Sequence, residues 1–259
     1  MNNALVLGLG IVGKSLADSL GIKHYHDLKK VDGYTYVDLK DVGDYRYIFV
    51  CLPSSVDSSG RYQLDTTTEL IKSISSQGKQ NVFIIKSTVY PGYADYVMDT
   101  LGINNVVSNP EFITEKTVEH DSMHPDIIVI GGRQPNYVQD VDGIYKARFK
   151  GADIIKTDNV TAETIKLAIN GFYTTKVIYA NQIYDYAKKT GAKYDVVKEA
   201  MYKRKWIGKN HLDVIHQGGR GAGGHCLKKD FKALATYSAS KLFEKINIIN
   251  EELLSGGNK

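Results

Sequence analysis

Residues 4–13 read ALVLGLGIVG. Ala4–Leu7 is an apolar, strand-like run, and Gly8, Gly10 and Gly13 follow it in the pattern G-x-G-x-x-G before a helical stretch begins. Each glycine has a physical task in such a turn. The first permits the tight reversal from strand to helix, the second lets backbone approach a pyrophosphate, and the third lets helix and strand pack closely. Phosphates are attracted to the helix start, where Ile11 and Val12 stand. A chance glycine-rich turn has no reason to lie between a strand and a helix, so the run predicts a dinucleotide site. Its acidic ribose ligand is expected at the end of the second strand. There His24-Tyr25-His26-Asp27 supplies Asp27, with Asp38 as its rival. An acid rather than an arginine at that point favours NAD over NADP.

Moving outward, the alternation repeats. Tyr47–Leu52, Val82–Ile85, Asn105–Ser108 and Ile127–Ile130 each read, like Ala4–Leu7, as a buried parallel strand. The segments between them are long enough for crossover helices. This is the pattern of an α/β chain with a Rossmann-type doubly wound parallel sheet. From about Thr161 the texture changes. Thr161–Thr190 carries apolar residues at helical spacing with no proline, which predicts one long helix. A glycine-rich loop, QGGRGAGGHC, occupies 217–226, and a final helical run extends from about Lys229 to Leu254. The expected organisation is a dinucleotide-binding domain over 1–158 followed by a mainly helical domain over 159–259.

Composition narrows the function classes. The 33 basic residues are interspersed with 29 acids, so no basic stripe for nucleic acid forms and the mild excess suits small anions. No apolar run approaches the roughly 20 residues that a membrane span needs. The opening MNNALVLGLG has no basic n-region or cleavage site, and a cytoplasmic protein is expected. Two cysteines, Cys51 and Cys226, without a CxxC pair speak against a disulfide scaffold and suit a reducing compartment. His24 and His26 alternate on a strand, and His120 and His124 share helical spacing, but no cysteine or acid completes a ligand set. No metal is expected. Lys203-Arg204-Lys205 reads as a solvated helix end.

Six blocks in order carry a resemblance over nearly the whole chain. They are GLGIVG at 8–13, CLPSSVDSSG at 51–60, KSTVYPG at 86–92, NPEFITE at 109–115, AETIKLAINGFYTTKVIYANQI at 162–183 and GRGAGGHCLKKDFKAL at 219–234. Together the chain resembles the UDP-glucose/GDP-mannose dehydrogenase family. The resemblance implies oxidation of a nucleotide-sugar C6 alcohol to the carboxylate with two NAD per turnover. A four-electron oxidation must hold the intermediate aldehyde, and a thiolate does so as a thiohemiacetal, then a thioester that water opens. Cys226 is the candidate nucleophile, since it lies between GAGG and a helix start, near Lys228 and Lys229, in a setting that favours a thiolate. Cys51, inside an apolar strand, reads as a buried structural cysteine.

Lys166 and Asn170 are four apart and share a helix face. By the resemblance they would stabilise the oxyanion at C6 and orient substrate or water. Asp230, four residues after Cys226, would position the hydrolytic water or act as base. Thr88 and Glu115 match family residues near the nicotinamide and the reacting carbon. Glu111 and Phe112 fall on the family's substrate loop, with Glu111 taking part in hydrolysis. Ser54 and Lys229 would line the NAD pocket, and Gly223 and the 215–219 segment the sugar pocket.

Departures from the family pattern concentrate on the substrate half. Family members continue into a third domain that grips UDP or GDP, whereas this chain stops at Lys259, so a separate chain supplying that domain is an expected partner. Trp206 stands where the family has an arginine that meets the neighbouring subunit's sugar, with Arg204 and Arg220 as stand-ins. Leu227-Lys228 replaces Phe-Pro, and Ala222 replaces an aromatic. Two competing readings are a dehydrogenase of a smaller hydroxylated substrate and a catalytically silent NAD-binding or assembly protein. Retention of Cys226, Lys166, Asn170 and Asp230 together argues against the second. Apolar residues on several faces of the long helix, among them Ile165, Ile169, Phe172, Val177 and Ile183, and the family's own dimers predict a homodimer through the 161–190 helix.

Overall fold

The computed structural model describes residues 1–216 and 219–256. Two compact units divide the chain, Met1–Ser55 with Tyr62–Lys166, and Val56–Arg61 with Leu167–Lys259. In the first half the elements run β1 (Ala4–Leu7), α1 (Ile11–Leu20), β2 (His24–His26), β3 (Thr35–Tyr36), a 3-10 turn (Leu39–Asp44), β4 (Tyr47–Val50), a hairpin of β5 (Ser55–Val56) and β6 (Tyr62–Gln63), and α2 (Asp65–Ser75). Then come β7 (Val82–Ile85), α3 (Tyr93–Leu101), β8 (Val106–Ser108), α4 (Val118–Met123), β9 (Ile127–Gly132), α5 (Pro135–Arg148) and β10 (Asp153–Thr157). The helices α6 (Asn159–Thr190), α7 (Tyr194–Tyr202), α8 (His225–Ser238) and α9 (Lys241–Leu254) complete the chain.

In the first unit eight strands form one sheet in the order β10-β9-β8-β7-β4-β1-β2-β3. Its centre pairs Leu5 with Ile48 and Ile48 with Phe83, all parallel. Every residue of β1 and β7 is buried, which is why these strands read as unbroken apolar runs rather than alternating ones. Tertiary contacts correct the reading of Ile127–Ile130 as a parallel strand. β9 runs antiparallel to β8 and overlaps it only through Val107↔Gly132 and Ser108↔Gly131. β10 is parallel to β9 and so shares the reversed direction. An apolar tetrapeptide carries no record of its direction, so the reversal is decided by where the 109–126 segment delivers the chain. The 2-residue edge strand β3 and the half-exposed edge strand β10 are too short or too polar to announce themselves, whereas β2 falls on the His24–His26 run read as the second strand.

Helix α6 begins at a polar cap. Asp158 accepts the N–H of Thr161 at 2.8 Å and its hydroxyl at 2.8 Å. A Cβ on Gly131 of β9 would fall 2.5 Å from the Asp158 carbonyl oxygen and 2.6 Å from the Ala162 Cβ, so only glycine lets the first turn of α6 seat on the strand end. Gly191, at φ +77°, ends the helix after 32 residues.

The second unit is helical around Ile178, Phe231, Ile246 and Leu253, with Phe231 and Phe243 edge-to-face at 5.9 Å. The hairpin tip joins this unit, where Thr236 donates to the Ser59 carbonyl at 2.8 Å. The single terminal helix expected from Lys229 to Leu254 is instead two. Ala239 adopts a left-handed φ of +49° and Ser240 starts α9, a break that lets α8 and α9 fold back on each other around the phenylalanine pair. Among the described residues no helix is long and apolar enough to cross a membrane.

Candidate active site

The turn after β1 is shaped by close approach. Gly8 sits at φ +91°, and a Cβ on it would meet the Cys51 carbonyl oxygen at 2.9 Å. At Gly13 a Cβ would lie 2.0 Å from the Gly8 oxygen. Gly10 alone of the three faces open space. Asp27, just beyond β2, reaches this turn, and its carboxylate accepts the Leu9 N–H at 2.7 Å and the Lys29 N–H at 3.1 Å. Asp38 instead heads the 3-10 turn beyond β3. Ile11, at the mouth of the turn, is 66% exposed, and Val12 beside it is half-buried against the core. An open glycine, an exposed apolar side chain and an acid at the next strand end fit a dinucleotide with its pyrophosphate on the start of α1.

Charged and polar side chains gather where β7 and β8 end. Lys86 follows β7 with its side chain buried, and its ammonium pairs with Glu111 at 3.0 Å and donates to Asn109 at 3.2 Å. Burial pulls the Lys86 ammonium down, but Glu111 and the Tyr145 hydroxyl outweigh it and hold it above its ordinary value. Tyr145 donates to Asn109, whose amide donates to the Val129 carbonyl at 2.7 Å. Glu111 is thus tied inward to Lys86 rather than lying free on its loop. Cys51 is buried beside this cluster, and burial, opposed by Lys86, pushes its thiol up to about 12.

A small open cleft lies next to it, lined by Ile85, Ser87, Thr88, Ser108, Glu163 and Lys166 among others. Thr88 and Lys166 line this cleft together, and the Lys166 ammonium stands 5.3 Å from the Phe112 ring centre. Glu115 is exposed further along the same loop, and Ser54 is half-buried ahead of the hairpin. Glu163, unnoticed in sequence, is 2% exposed, and burial, opposed by the Ala94 N–H and the Ser108 hydroxyl, lifts its carboxyl to about 7. Its signal was present, an acid on the helix face one turn before Lys166, but helices carry many such acids on solvated faces.

In the second unit Cys226 is exposed in the first turn of α8. Asp230, one turn on, is 1% exposed and accepts the Asn170 amide at 2.7 Å and the Lys229 ammonium at 2.6 Å. Asn170, Lys229 and Asp230 thus form one cluster. The glycine-rich loop is pinned at two points. Asn250 of α9, wholly buried, bonds both the N–H and the carbonyl of Ala222, at 2.7 and 3.2 Å. Arg220 pairs with Asp185 at 2.7 Å and donates to Asn181 at 2.9 Å, so its guanidinium is engaged with α6. Gly223 faces the Leu254 side chain. Trp206 is 86% exposed, with the Lys205 ammonium 5.2 Å from its ring, and Arg204 is also exposed. Within the 215–219 segment, Gln217 and Gly218 lie outside the described residues.

Two outcomes follow from this geometry. Gly10→Val should fold with an unchanged melting temperature, because its Cβ meets nothing, yet lose NAD binding by calorimetry; Gly13→Ala should instead lower the melting temperature, by about 1–3 kcal/mol of stability. Retained NAD binding in folded Gly10→Val would refute the assignment. Iodoacetamide should label Cys226 faster than Cys51 near neutral pH, since Cys51 is buried and its thiolate suppressed. Equal rates by mass spectrometry would remove the case for a nucleophile.

Comparison with known proteins places this geometry. Residues 35–149 match the NAD binding domain of the UDP-glucose/GDP-mannose dehydrogenase family, and residues 160–252 match its central domain. The chain is 32% identical over 238 residues to a UDP-glucose 6-dehydrogenase of Rickettsia bellii, covering 88% of this chain and 53% of that protein. It is 32% identical over 195 residues to one of Bacillus subtilis, covering 72% and 43%. The chain spans about half the length of the curated relatives it matches. The fold is shared with a UDP-glucose dehydrogenase of Pyrobaculum islandicum, at TM-score 0.83, 23% identity and coverage of 97% of this chain and 68% of that one. A UDP-D-ManNAc dehydrogenase of Pyrococcus horikoshii gives TM-score 0.82 at 20% identity, covering 96% and 68%. With both family domains matched in order, this chain belongs to the UDP-glucose/GDP-mannose dehydrogenase family and carries its NAD binding domain.

Proposed function

We propose that the protein is a cytoplasmic, NAD-dependent dehydrogenase that oxidises the C6 alcohol of a nucleotide sugar to the carboxylate, with 1–158 binding the dinucleotide and 159–259 carrying the nucleophile. The observation that carries the reading is the exposed Cys226 thiol in the first turn of α8, one turn before a buried Asp230 held by Asn170 and Lys229. An exposed thiol at a helix start is set to react, and a buried carboxylate held in one orientation a helix turn away is placed to direct a water.

Gly8, Gly10, Gly13, Ile11, Val12 and Asp27 would hold the dinucleotide, with Thr88 and Glu115 toward its nicotinamide and Ser54 and Lys229 lining its pocket. A bound NAD would supply the hydride acceptor, one molecule for each of the two oxidations at C6. Once C6 is an aldehyde, the Cys226 thiolate adds to it, forming a C–S bond and placing negative charge on oxygen. Lys166 and Asn170 stabilise that oxyanion. After the second oxidation the sulfur holds a thioester, and a water directed by Asp230 and Glu111 adds to its carbon. The C–S bond breaks, the carboxylate leaves and the thiolate returns. Phe112, Arg220 and Gly223 are assigned to the sugar side.

A panel of UDP- and GDP-sugars should yield two NADH per acid formed with at least one of them, and Cys226→Ser should abolish acid formation. Turnover of only small hydroxy acids would favour the smaller-substrate reading, and NAD binding with no turnover at all would favour a silent binding protein.

Two copies of the chain are proposed to pair through α6. Phe172, Tyr179 and Tyr186 recur every seven residues and are 63%, 54% and 64% exposed, which lays an apolar stripe along the helix in the unit that carries them. A two-fold contact between such stripes buries both. Light scattering at micromolar concentration should give twice 28.8 kDa, and a clean monomer mass would sink the dimer.

A further inference from the structure

Glu163 is a buried acid of the first unit with three hydrogen-bond donors on its carboxylate, and it lines the cleft without belonging to the chemistry assigned above. Its Oε2 accepts the Gly92 N–H at 2.5 Å. Its Oε1 accepts the Ala94 N–H at 3.0 Å and the Ser108 hydroxyl at 2.8 Å. These three donors come from two separate segments. Gly92 and Ala94 frame the start of α3, four to six residues after Thr88. Because the N-cap of α3 is a glycine without a side chain, the free N–H groups of its first turn find their acceptor on α6. Ser108 is the last residue of β8 and leads directly into Asn109, Glu111, Phe112 and Glu115. Glu163 itself precedes Lys166 by three residues, so the two share a helix face and line the same cleft with Thr88.

We propose that Glu163 is the positioning residue of this site, its carboxylate fixing the Thr88 loop, the Glu111–Glu115 loop and Lys166 relative to one another. A buried carboxylate is an expensive way to fill space, and an amide or apolar side chain would fill it at lower cost. What the carboxylate supplies is two oxygens that accept three donors at once, from backbone on one segment and a hydroxyl on another. Turned toward these three donors, it acts through the groups it holds and not on the reacting atoms. The segments keep a second tie that does not involve it. Asn159 accepts the Ser108 N–H at 3.1 Å and donates to Asp95 of α3 at 2.8 Å, so replacing Glu163 leaves a fold in place.

The inference rests on the functional reading above, and its test separates the two. Glu163→Gln keeps the shape but presents an amide N–H₂ where one of the donors needs an acceptor. With a sugar that the wild-type protein oxidises, this variant should lose about tenfold or more in kcat while the NAD dissociation constant stays within about twofold, and Glu163→Ala should lose more. Unchanged kcat, or kcat and NAD affinity falling together with the melting temperature, would overturn positioning. Mass-spectrometric labelling of Lys166 by an amine-selective reagent gives a readout that needs no turnover. Its rate should rise by about threefold in Glu163→Gln, because the Phe112 loop over Lys166 is no longer held. An unchanged rate overturns the positioning role. A raised rate in a protein that oxidises none of the sugars leaves positioning standing and overturns the functional reading instead.

Discussion

Nothing but hydrogen separates Gly13 from the carbonyl of Gly8, where a Cβ would stand 2.0 Å from the oxygen. That contact lets α1 rise directly off the end of β1, and most of the first unit is arranged around it. The start of α1 is brought to the edge where β1, β4 and β7 end, with its free N–H groups facing outward. Asp27 reaches the same turn only because β2 pairs in register with β1, Leu7 against His26, which puts the next residue beside Leu9. A side chain at position 13 would separate helix from strand and move all three features together.

The same edge collects charge that the interior of a sheet could not hold. Lys86, Asn109, Tyr145 and Glu111 satisfy one another where β7 and β8 stop, and Glu163 is satisfied by the start of α3 and the end of β8. Lys86 and Glu163 are buried and Glu111 half-buried, each paired or bonded, the condition under which such burial is tolerated. The consequence is a rigid rim. Loops that emerge from strand ends are ordinarily the mobile part of a doubly wound fold, yet here those carrying Thr88 and Glu111 are tied down by side chains from other elements.

In the helical unit the comparable device is Asn250. One buried amide satisfies both backbone groups of Ala222, which fixes the glycine-rich loop immediately ahead of Cys226. Gly221 permits this at φ +85°, its missing Cβ leaving Asn250 room to approach. Arg220 fastens the other side of the loop to Asn181 and Asp185. A chain of glycines is the least ordered backbone available, and it presents a thiol in a defined place only when its ends are anchored this way.

The glycine spacing, the apolar runs of β1, β4 and β7 and the proline-free length of α6 were legible in the sequence, because each reflects a local rule: backbone clearance, burial on both faces, or helical periodicity. Lys166, Asn170 and Asp230 were named only through the family resemblance, Cys226 through its glycine-rich setting together with that resemblance, and Asp27 from its place after a strand. Other features had no local signature. The reversal of β9, the break at Ala239 and the weak edges β3 and β10 depend on which neighbour a segment meets, not on its own residues. The roles of Lys86, Glu163 and Asn250 likewise arise from partners more than 20 residues away in the chain. A buried charge or amide looks in sequence like any solvated one, and only the fold supplies the donors and acceptors that make its burial affordable.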